Sequence, residues 1–216
     1  MQKALKPLVF VLALSPAAYL VYLGFTNDLG VNPAETLQLE TGTWALNFLV
    51  ATLAITPLRR LTRWNRLIQY RRMVGLFAFF YAFAHFLTYL ILDQSFDLDQ
   101  MMVDVVKRPF ITMGFTAFVL MIPLALTSTK GWIRRLGGRH WQMLHRLIYV
   151  SAVAASIHYI WKVKVVLGAP VYYAVAVALL LGARVVWQIR SAKSEPHSGL
   201  RAEMGSTSSS VDANLP

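Results

Sequence analysis

The sequence predicts an all-α integral membrane protein: a bundle of six transmembrane helices with both termini in the cytoplasm. Of the 216 residues, 56% are hydrophobic and only 14% are charged, which is too apolar for a soluble globular domain. The apolar residues form six stretches, each close to the roughly 20 residues that a helix needs to cross about 30 Å of hydrocarbon. The basic residues are concentrated in the connections on one side of these stretches.

The first three predicted spans cover residues 7–25, 42–58 and 73–92. The first follows the basic segment MQKALK, and we interpret it as a retained anchor. Its apolar run is longer than that of a cleaved signal peptide, and it lacks a small-residue cleavage site in a polar flank. The second span is followed by Arg59 and the third is preceded by Arg72, so a basic connection joins them on the inner side.

The last three predicted spans cover residues 109–127, 143–161 and 169–188. Pro123 lies near the cytoplasmic end of the fourth span, where a proline ends a helix at little cost. Residues 1–190 are therefore predicted to form one six-helix membrane domain. The remaining residues, 191–216, are rich in Ser, Gly and Pro and have too little apolar surface to pack, which predicts a disordered polar cytoplasmic tail.

The charge distribution orients the bundle, because basic residues are retained on the cytoplasmic side of a membrane. Of the 21 lysines and arginines, only Lys107, Arg108, Lys162 and Lys164 fall on the predicted outer side. The formal net charge of +11 is therefore interpreted as a topology signal, with some attraction to anionic lipid. Nucleic-acid binding is the weaker interpretation.

The composition also restricts the chemistry of any redox centre. The chain has no cysteine, which excludes disulfides, iron–sulfur clusters held by thiolates and the covalent attachment of a c-type haem. The sequence contains neither a glycine-rich dinucleotide fingerprint after a strand nor a phosphate-binding loop motif. A redox centre must therefore use histidine or be an organic cofactor.

Three histidines, His85, His145 and His158, lie within the predicted spans. Ionisable side chains are rare inside a bilayer, so this group indicates where function should be sought. His85 lies about 20 Å along the third span from Arg72, and His158 lies about 18 Å beyond Arg146 in the fifth. These two are therefore expected at one depth in the outer half of the membrane. His145 lies about 20 Å below His158, near the inner face.

Two imidazoles that face each other at one depth form the arrangement that holds a b-type haem, since each ring offers a neutral nitrogen to the iron. His85 and His158 are thus the predicted ligand pair. His145 has no histidine partner at its depth, and on a continuous helix it would point about 220° away from His158. A second haem at His145 would therefore be five-coordinate or have another kind of second ligand, or it would be absent. For a single membrane histidine, an interhelical hydrogen bond or a step in a proton path is the ordinary interpretation.

Two further groups of residues fit a haem, although each also has a simpler explanation. Arg71 and Arg72, at the inner edge of the third span, could pair with haem propionates or with a flavin phosphate. Retention of basic residues on the cytoplasmic side already explains them. Aromatic residues around His85 could wall a flat macrocycle, although ordinary packing explains any single one. They are Phe79, Phe80, Tyr81, Phe83, Phe86 and Tyr89.

Several short motifs accompany these histidines. They are Tyr70-Arg71-Arg72 through Gly75-Leu76, Tyr81-Ala82 with His85, Lys107-Arg108-Pro109-Phe110-Ile111-Thr112, Pro123-Leu124-Ala125-Leu126-Thr127-Ser128, Trp141, Leu144-His145-Arg146-Leu147, Tyr149, and His158 near Trp161. Over about residues 5–190 the chain resembles the MsrQ (YedZ) family of haem-binding membrane subunits, a branch of the ferric-reductase-like transmembrane superfamily.

The resemblance implies a non-catalytic electron-transfer subunit in the bacterial inner membrane, with one or two b-type haems. Such a subunit takes electrons from the quinone pool or from a cytosolic flavin reductase. It passes them to a molybdopterin-containing methionine-sulfoxide reductase catalytic subunit in the periplasm, with which it forms a heterodimer for the repair of oxidised periplasmic proteins. FMN binding is implied by the family alone. The outer connections 93–108 and 162–168 are the surfaces expected to meet that partner.

Two other classes of protein remain open from the sequence. A small membrane transporter or proton-path protein would also use intramembrane histidines, but it would be colourless and need not match His85 and His158 in depth. It would also be expected to show broken or repeated helices around a midplane site. A stand-alone ferric or quinone reductase membrane domain would share the haem core, but it would normally be joined to flavin and nicotinamide domains, for which this sequence has no motif.

Overall fold

The computed structural model describes residues 2–163 and 168–193. Within these residues the chain forms eight α-helices and no strand. A 3₁₀ turn, Asn65–Leu67, precedes the third helix, and a π-helical turn, Tyr89–Asp93, follows it. The helices are α1 (Gln2–Phe25), α2 (Pro33–Thr62), α3 (Ile68–Thr88), α4 (Leu98–Lys107), α5 (Pro109–Leu126), α6 (Lys130–Leu144), α7 (Leu147–Val163) and α8 (Ala169–Lys193).

Most of these helices are long and apolar enough to cross a membrane. Five such segments occur in the described residues, and α6 with α7 makes a sixth candidate that is bent by 40°. The five are Leu5–Phe25, Pro33–Thr62, Asn65–Asp93, Pro109–Leu126 and Ala169–Arg190. The predicted all-α membrane bundle is therefore confirmed. The cytoplasmic placement of both termini stays a prediction.

The chain divides into two compact units, Met1–Ala178 and Leu179–Pro216. The second unit contains the C-terminal part of α8, and the helices and contacts discussed below belong to the first. The predicted boundary at residue 190 stays a prediction. The helix α8 continues to Lys193, just past that boundary, and the rest of the predicted tail, 194–216, lies outside the described residues.

Local sequence explains where α2 and α4 begin. The side chain of Asn32 accepts a hydrogen bond from the backbone N–H of Glu35 at 3.3 Å, and Pro33 occupies the first helical position. The side chain of Asp97 accepts from the backbone N–H of Gln100 at 2.9 Å. Such caps satisfy backbone donors that have no partner within the helix. The outer connection 93–108 therefore holds a capped helix.

Four helices pack around the centre of the first unit. The helix α2 packs on α3 and α5 packs on α7, while α3 also contacts α5 and α2 contacts α7. The helix α1 lies against α2 and α3, and α4 lies against α5. The four central helices therefore carry the residues that can share one site, and His85 and His158 lie on two of them.

A buried tyrosine attaches α1 to α3. The Tyr81 hydroxyl donates to the Ala13 carbonyl at 2.8 Å and accepts from the Ala17 N–H at 3.0 Å. These two backbone groups are four residues apart on α1, and Pro16, which lacks a backbone N–H, lies between them. An inserted side chain satisfies such groups where a bilayer offers no water. Tyr81, which has 0% of its surface exposed, therefore attaches this part of α1 to α3.

The fifth predicted span, 143–161, begins too early. The helix α7 starts at Leu147, and His145 lies in the break between α6 and α7. His145 follows the last residue of α6 and its backbone N–H donates to the Trp141 carbonyl at 3.0 Å. No continuous helix joins His145 to His158, so the expected angular offset between them does not apply. The bend of 40° between α6 and α7 separates His145 from the helix that carries His158.

Candidate functional site

A cavity of about 630 Å³ is lined by residues of α2, α3, α5 and α7, together with α4 at one end. Cofactor sites in proteins typically have this size and are mostly apolar with a few placed polar groups. Both His85 and His158 line the cavity. Its apolar wall includes Leu46, Leu49, Phe86, Phe115, Phe118 and Met121, and its polar rim consists of Asp93, Gln94, Gln100, Asp104, Arg108 and Lys162.

The rings of His85 and His158 face each other within this cavity. Their centroids are 6.0 Å apart and their planes make an angle of 73°. An imidazole nitrogen binds a first-row transition metal at about 2 Å, so this separation leaves room for one metal atom bonded to both rings. The fold thus brings together the two histidines that were predicted to lie at one depth.

Hydrogen bonds determine which nitrogen of each ring is available. The Nδ1 atom of His85 lies 2.9 Å from the Gln38 carbonyl oxygen, and Nδ1 of His158 lies 2.6 Å from the Phe110 carbonyl oxygen. A carbonyl only accepts, so both Nδ1 atoms must carry the proton. A neutral imidazole has a single N–H. The Nε2 atom of each ring is therefore the nitrogen with a lone pair to offer to a metal.

Aromatic side chains on α3 and α5 form one wall of the cavity. Phe86 stacks on Phe118 with centroids 4.9 Å apart and contacts Phe115 at 6.2 Å. Of the aromatic residues expected around a macrocycle, Phe86 and Tyr89 line the cavity. The other four do not. Phe79 and Phe83 pack on Phe118, Phe80 packs on Phe77 and Tyr81, and Tyr81 binds α1.

The polar rim contains a buried carboxylate. Asp104 has 5% of its surface exposed and forms an ion pair with Arg108 Nε at 3.3 Å. It also accepts hydrogen bonds from Gln94 Nε2 at 2.9 Å and from the Tyr89 hydroxyl at 3.5 Å. A buried carboxylate needs such partners to remain charged. Asp104 therefore connects Gln94, Tyr89 and Arg108, and it joins α4 to the π-helical turn after α3 and to the start of α5.

The donor set fits a haem better than a bare metal ion. Within the described residues no group of three or more His, Cys, Asp or Glu side chains could hold a metal. His85 and His158 supply two nitrogens, whereas a structural ion held by protein alone takes four or more ligands. A haem brings its own four equatorial nitrogens and needs only axial ligands. Apolar walls and a rim with two cations suit a flat macrocycle with acidic side chains.

The third membrane histidine lies elsewhere. The His145 ring stacks on Trp141 with centroids 3.9 Å apart, and its Nε2 lies 3.1 Å from the Thr127 hydroxyl. That hydroxyl donates its proton to the Pro123 carbonyl at 2.6 Å, so it accepts from His145. His145 therefore carries its proton on Nε2, unlike the paired histidines, and it does not line the cavity.

Arg71 and Arg72, the two arginines predicted to bind a cofactor, lie near the start of α3 and do not line the cavity. His85 lies near the opposite end of this helix. Of the two arginines, Arg71 lies within electrostatic reach of His145. His145, Trp141 and Thr127 therefore form a separate cluster at the other end of the bundle from the polar rim.

Sequence reasoning missed the residues that α2 and α5 contribute. Gly42 and Gly114 lie against the two histidine rings, each one turn beyond the carbonyl that accepts the ring proton. The pattern Gln38-x-x-x-Gly42 precedes His85 by almost the same interval as Phe110-x-x-x-Gly114 precedes His158. That near repeat in the sequence could have indicated these residues. The site has two similar halves, one formed by α2 and α3 and the other by α5 and α7.

The fold and the cavity together define a class: a helical membrane protein with a cofactor-sized cavity between two histidines. A family model described as "Ferric reductase like transmembrane component" matches residues 41–156, which run from within α2 to within α7 and include His85 and His145. His158 lies two residues beyond the match. No solved structure gives a significant match.

Curated relatives narrow this class. The "Protein-methionine-sulfoxide reductase heme-binding subunit MsrQ" of Herminiimonas arsenicoxydans is 54% identical over 185 residues, 85% of each chain. The proteins of the same name from Ralstonia nicotianae and Azospira oryzae are 52% and 50% identical, over 88% and 87% of this chain and 89% and 81% of theirs. The chain belongs to the MsrQ family of ferric-reductase-like membrane proteins.

Proposed function

We propose that this chain is the membrane electron-transfer subunit of a protein-methionine-sulfoxide reductase system, with a b-type haem between His85 and His158. It would carry electrons from the quinone pool or a cytosolic flavin reductase across the bacterial inner membrane to a periplasmic molybdopterin-containing catalytic subunit. The observation that carries the proposal is the opposed pair of imidazoles in one cavity. The names of the relatives, heme-binding subunits of a methionine-sulfoxide reductase, support it.

The residues of the cavity have separate tasks in this proposal. Haem iron supplies a one-electron redox centre that needs no proton at the metal. His85 and His158 would hold the iron through Nε2, and the apolar side chains of the cavity wall would exclude water. Their Nδ1–H groups are held by the carbonyls of Gln38 and Phe110. Axial ligand identity, hydrogen bonding to the ligands and burial are the factors by which a protein adjusts a haem potential.

The polar rim is the proposed place for the acidic side chains of the haem. Arg108 and Lys162 are its two cations, and both line the cavity. Arg108 is already fixed by Asp104, so its guanidinium is oriented before any ligand binds. Pairing with carboxylates suits arginine in particular, because its planar group donates several hydrogen bonds in a fixed geometry.

The cluster around His145 is the proposed place for any second cofactor. His145 would offer Nδ1 to a second haem, since its Nε2 is engaged by Thr127. Arg71 and Arg72 would then pair with propionates of that haem or with the phosphate of FMN, whose binding is inferred from the family alone. Spectroscopic stoichiometry separates the cases: one haem per chain leaves His145 structural, and two assign it a haem.

The outer face is the proposed docking surface for the catalytic subunit. The helix α4 joins two membrane spans, and two of its residues, Gln100 and Asp104, line the cavity. A partner seated on α4 would therefore approach the haem edge more closely than one seated on any part of the inner face. The second expected surface, residues 162–168, lies largely outside the described residues.

The visible spectrum of the detergent-purified protein, oxidised and then reduced, tests the proposal, with haem quantified per chain. We expect sharp low-spin b-type bands on reduction in the wild type and in His140→Ala, a control at an exposed position of α6. We expect their loss when His85 and His158 are both replaced by alanine. A colourless wild type that cannot be reconstituted with haem, or full low-spin haem in the double variant, would overturn it.

A further inference from the structure

Two glycines lie directly behind the two histidine rings. A Cβ atom added to Gly42 would lie 3.0 Å from both Cε1 and Nδ1 of His85. A Cβ atom added to Gly114 would lie 2.7 Å from Nδ1 of His158, 2.9 Å from Cε1 and 3.1 Å from Cγ. Ordinary van der Waals contact between carbon atoms begins near 3.5 Å. Each ring therefore occupies the space that any other residue type would fill.

The same glycines stand one helical turn beyond the carbonyls that hold the rings. Gln38 and Gly42 lie on one face of α2, as residues four apart do on any α-helix. Phe110 and Gly114 are arranged in the same way on α5. The imidazole crosses the bare backbone at the glycine and reaches the carbonyl one turn away with Nδ1–H. Without the glycine, the ring could not lie flat enough on the helix to make this bond.

Other helical glycines of the described residues do not show this crowding. A Cβ at Gly75 in α3 would meet Thr52 at 3.5 Å, and one at Gly24 in α1 would meet Leu29 at 3.8 Å. Both are ordinary contacts. Glycine is among the least favourable residues inside a helix, so its presence at two equivalent places beside the two rings needs a local reason. The close approach of an imidazole supplies that reason on both helices.

We propose that Gly42 and Gly114 are positioning residues for the two axial ligands. Each glycine lets one imidazole lie against its helix, which keeps the proton on Nδ1 and the lone pair on Nε2, and holds the angle of 73° between the ring planes. This inference rests on the proposed haem between His85 and His158. It adds that the ligand geometry is set by backbone on α2 and α5, two helices that contribute no ligand.

The two positions are not equally tight. The Cβ distance of 2.7 Å at Gly114 requires His158 or a helix to move, because real Cβ atoms do not approach so closely. The distance of 3.0 Å at Gly42 needs a smaller displacement of His85. Gly114→Ala should therefore perturb the site more than Gly42→Ala. Removing partners that orient metal-bound histidines typically weakens metal binding by about 10- to 100-fold, and we expect a loss of haem affinity of this order for Gly114→Ala.

The test compares Gly42→Ala and Gly114→Ala with wild type and with the control Gly75→Ala in the detergent-purified full chain. The readouts are haem per chain, the midpoint potential and the ferric low-spin EPR signal, whose anisotropy depends on the angle between the axial rings. We expect Gly114→Ala to lose haem, Gly42→Ala to keep haem with a shifted potential and EPR signal, and Gly75→Ala to match wild type. Unchanged haem content, potential and EPR signal in both cavity variants would overturn the inference.

Two further outcomes are also decisive. If Gly114→Ala fails to accumulate in the membrane, Gly42→Ala carries the test, and a wild-type potential and EPR signal in that variant would refute the positioning role. If the wild type binds no haem at all, the proposed function fails first and this inference fails with it. If the wild type binds haem and both glycine variants match it in haem content, potential and EPR signal, the positioning role is refuted and the proposed function is not.

Discussion

The imidazole of His85 on α3 lies 6.0 Å from that of His158 on α7, centroid to centroid, and each is held through Nδ1 by a backbone carbonyl of a different helix. The same two-part arrangement thus occurs twice around one cavity. A histidine on one helix is oriented by the backbone of its neighbour. Four helices are therefore needed to build a site with two ligands.

Replacement of His145 by alanine tests whether the two ends of the bundle hold independent sites. His145 contacts Trp141 and Thr127 and does not line the cavity. We expect the His145→Ala protein to keep the low-spin spectrum of the His85–His158 haem. If haem per chain falls from two to one, a second haem at His145 is established. Loss of all haem would contradict the separation of the two sites.

The cations of the rim should raise the haem potential, because positive charge favours the added electron. Replacing Arg108 and Lys162 by glutamine should therefore lower the midpoint potential by roughly tens of millivolts at the separations and dielectric typical of such sites. The exposed Lys107, which does not line the cavity, provides the matched control as Lys107→Gln. A redox titration of the Arg108→Gln, Lys162→Gln and Lys107→Gln proteins beside wild type at low salt makes the measurement. If all three variants shift the potential equally from that of wild type, the effect comes from general surface charge and not from the rim.

The buried carboxylate of the rim should act in the opposite direction. Asp104→Asn removes a negative charge from the cavity wall and keeps the size of the side chain, so the haem potential should rise. The exposed Asp99 on the same helix is the control as Asp99→Asn. Because Asp104 also holds Arg108 and Gln94, the thermal stability of the variant should fall. A potential that drops on Asp104→Asn would show that loss of Arg108 orientation outweighs loss of the charge.

Tyr81→Phe should destabilise the contact between α1 and α3. The substitution leaves the Ala13 carbonyl and the Ala17 N–H without the hydroxyl that bridges them. An unsatisfied buried backbone group costs about 1–3 kcal/mol. We expect a lower melting temperature in detergent with an unchanged haem spectrum, because Tyr81 does not line the cavity. Tyr19→Phe, at a position of α1 that is 60% exposed, should melt like wild type.

Charge reversal on α4 tests the docking surface. Asp97 caps the helix, so its substitution would disturb α4 itself, whereas Asp99 is exposed in the first turn. We expect Asp99→Lys to slow electron delivery to the catalytic partner and to leave the haem spectrum unchanged. Asp28→Lys, in the connection between α1 and α2, is the control for charge alone. Wild-type delivery by Asp99→Lys at low ionic strength would argue against α4 as the docking surface.

Several features of the site followed from the sequence because they depend on local backbone geometry. The rise of an α-helix is the same wherever it occurs, so distances along each span placed His85 and His158 at one depth. The apolar runs likewise predicted the membrane helices. His145 was wrongly assigned to the fifth span because a break of two residues, His145 and Arg146, is too short to interrupt a hydropathy pattern.

What the sequence by itself determined was the class of protein, the candidate spans and the similar distances of His85 and His158 along their helices, since hydrophobic length and helical rise are properties of single segments. Only the tertiary structure decided which helix faces meet. It placed Gly42 behind His85 and Gly114 behind His158, and it buried Asp104 beside Arg108 at the rim. Those outcomes depend on the rotation and packing of neighbouring helices, which are set by contacts between residues far apart in the chain.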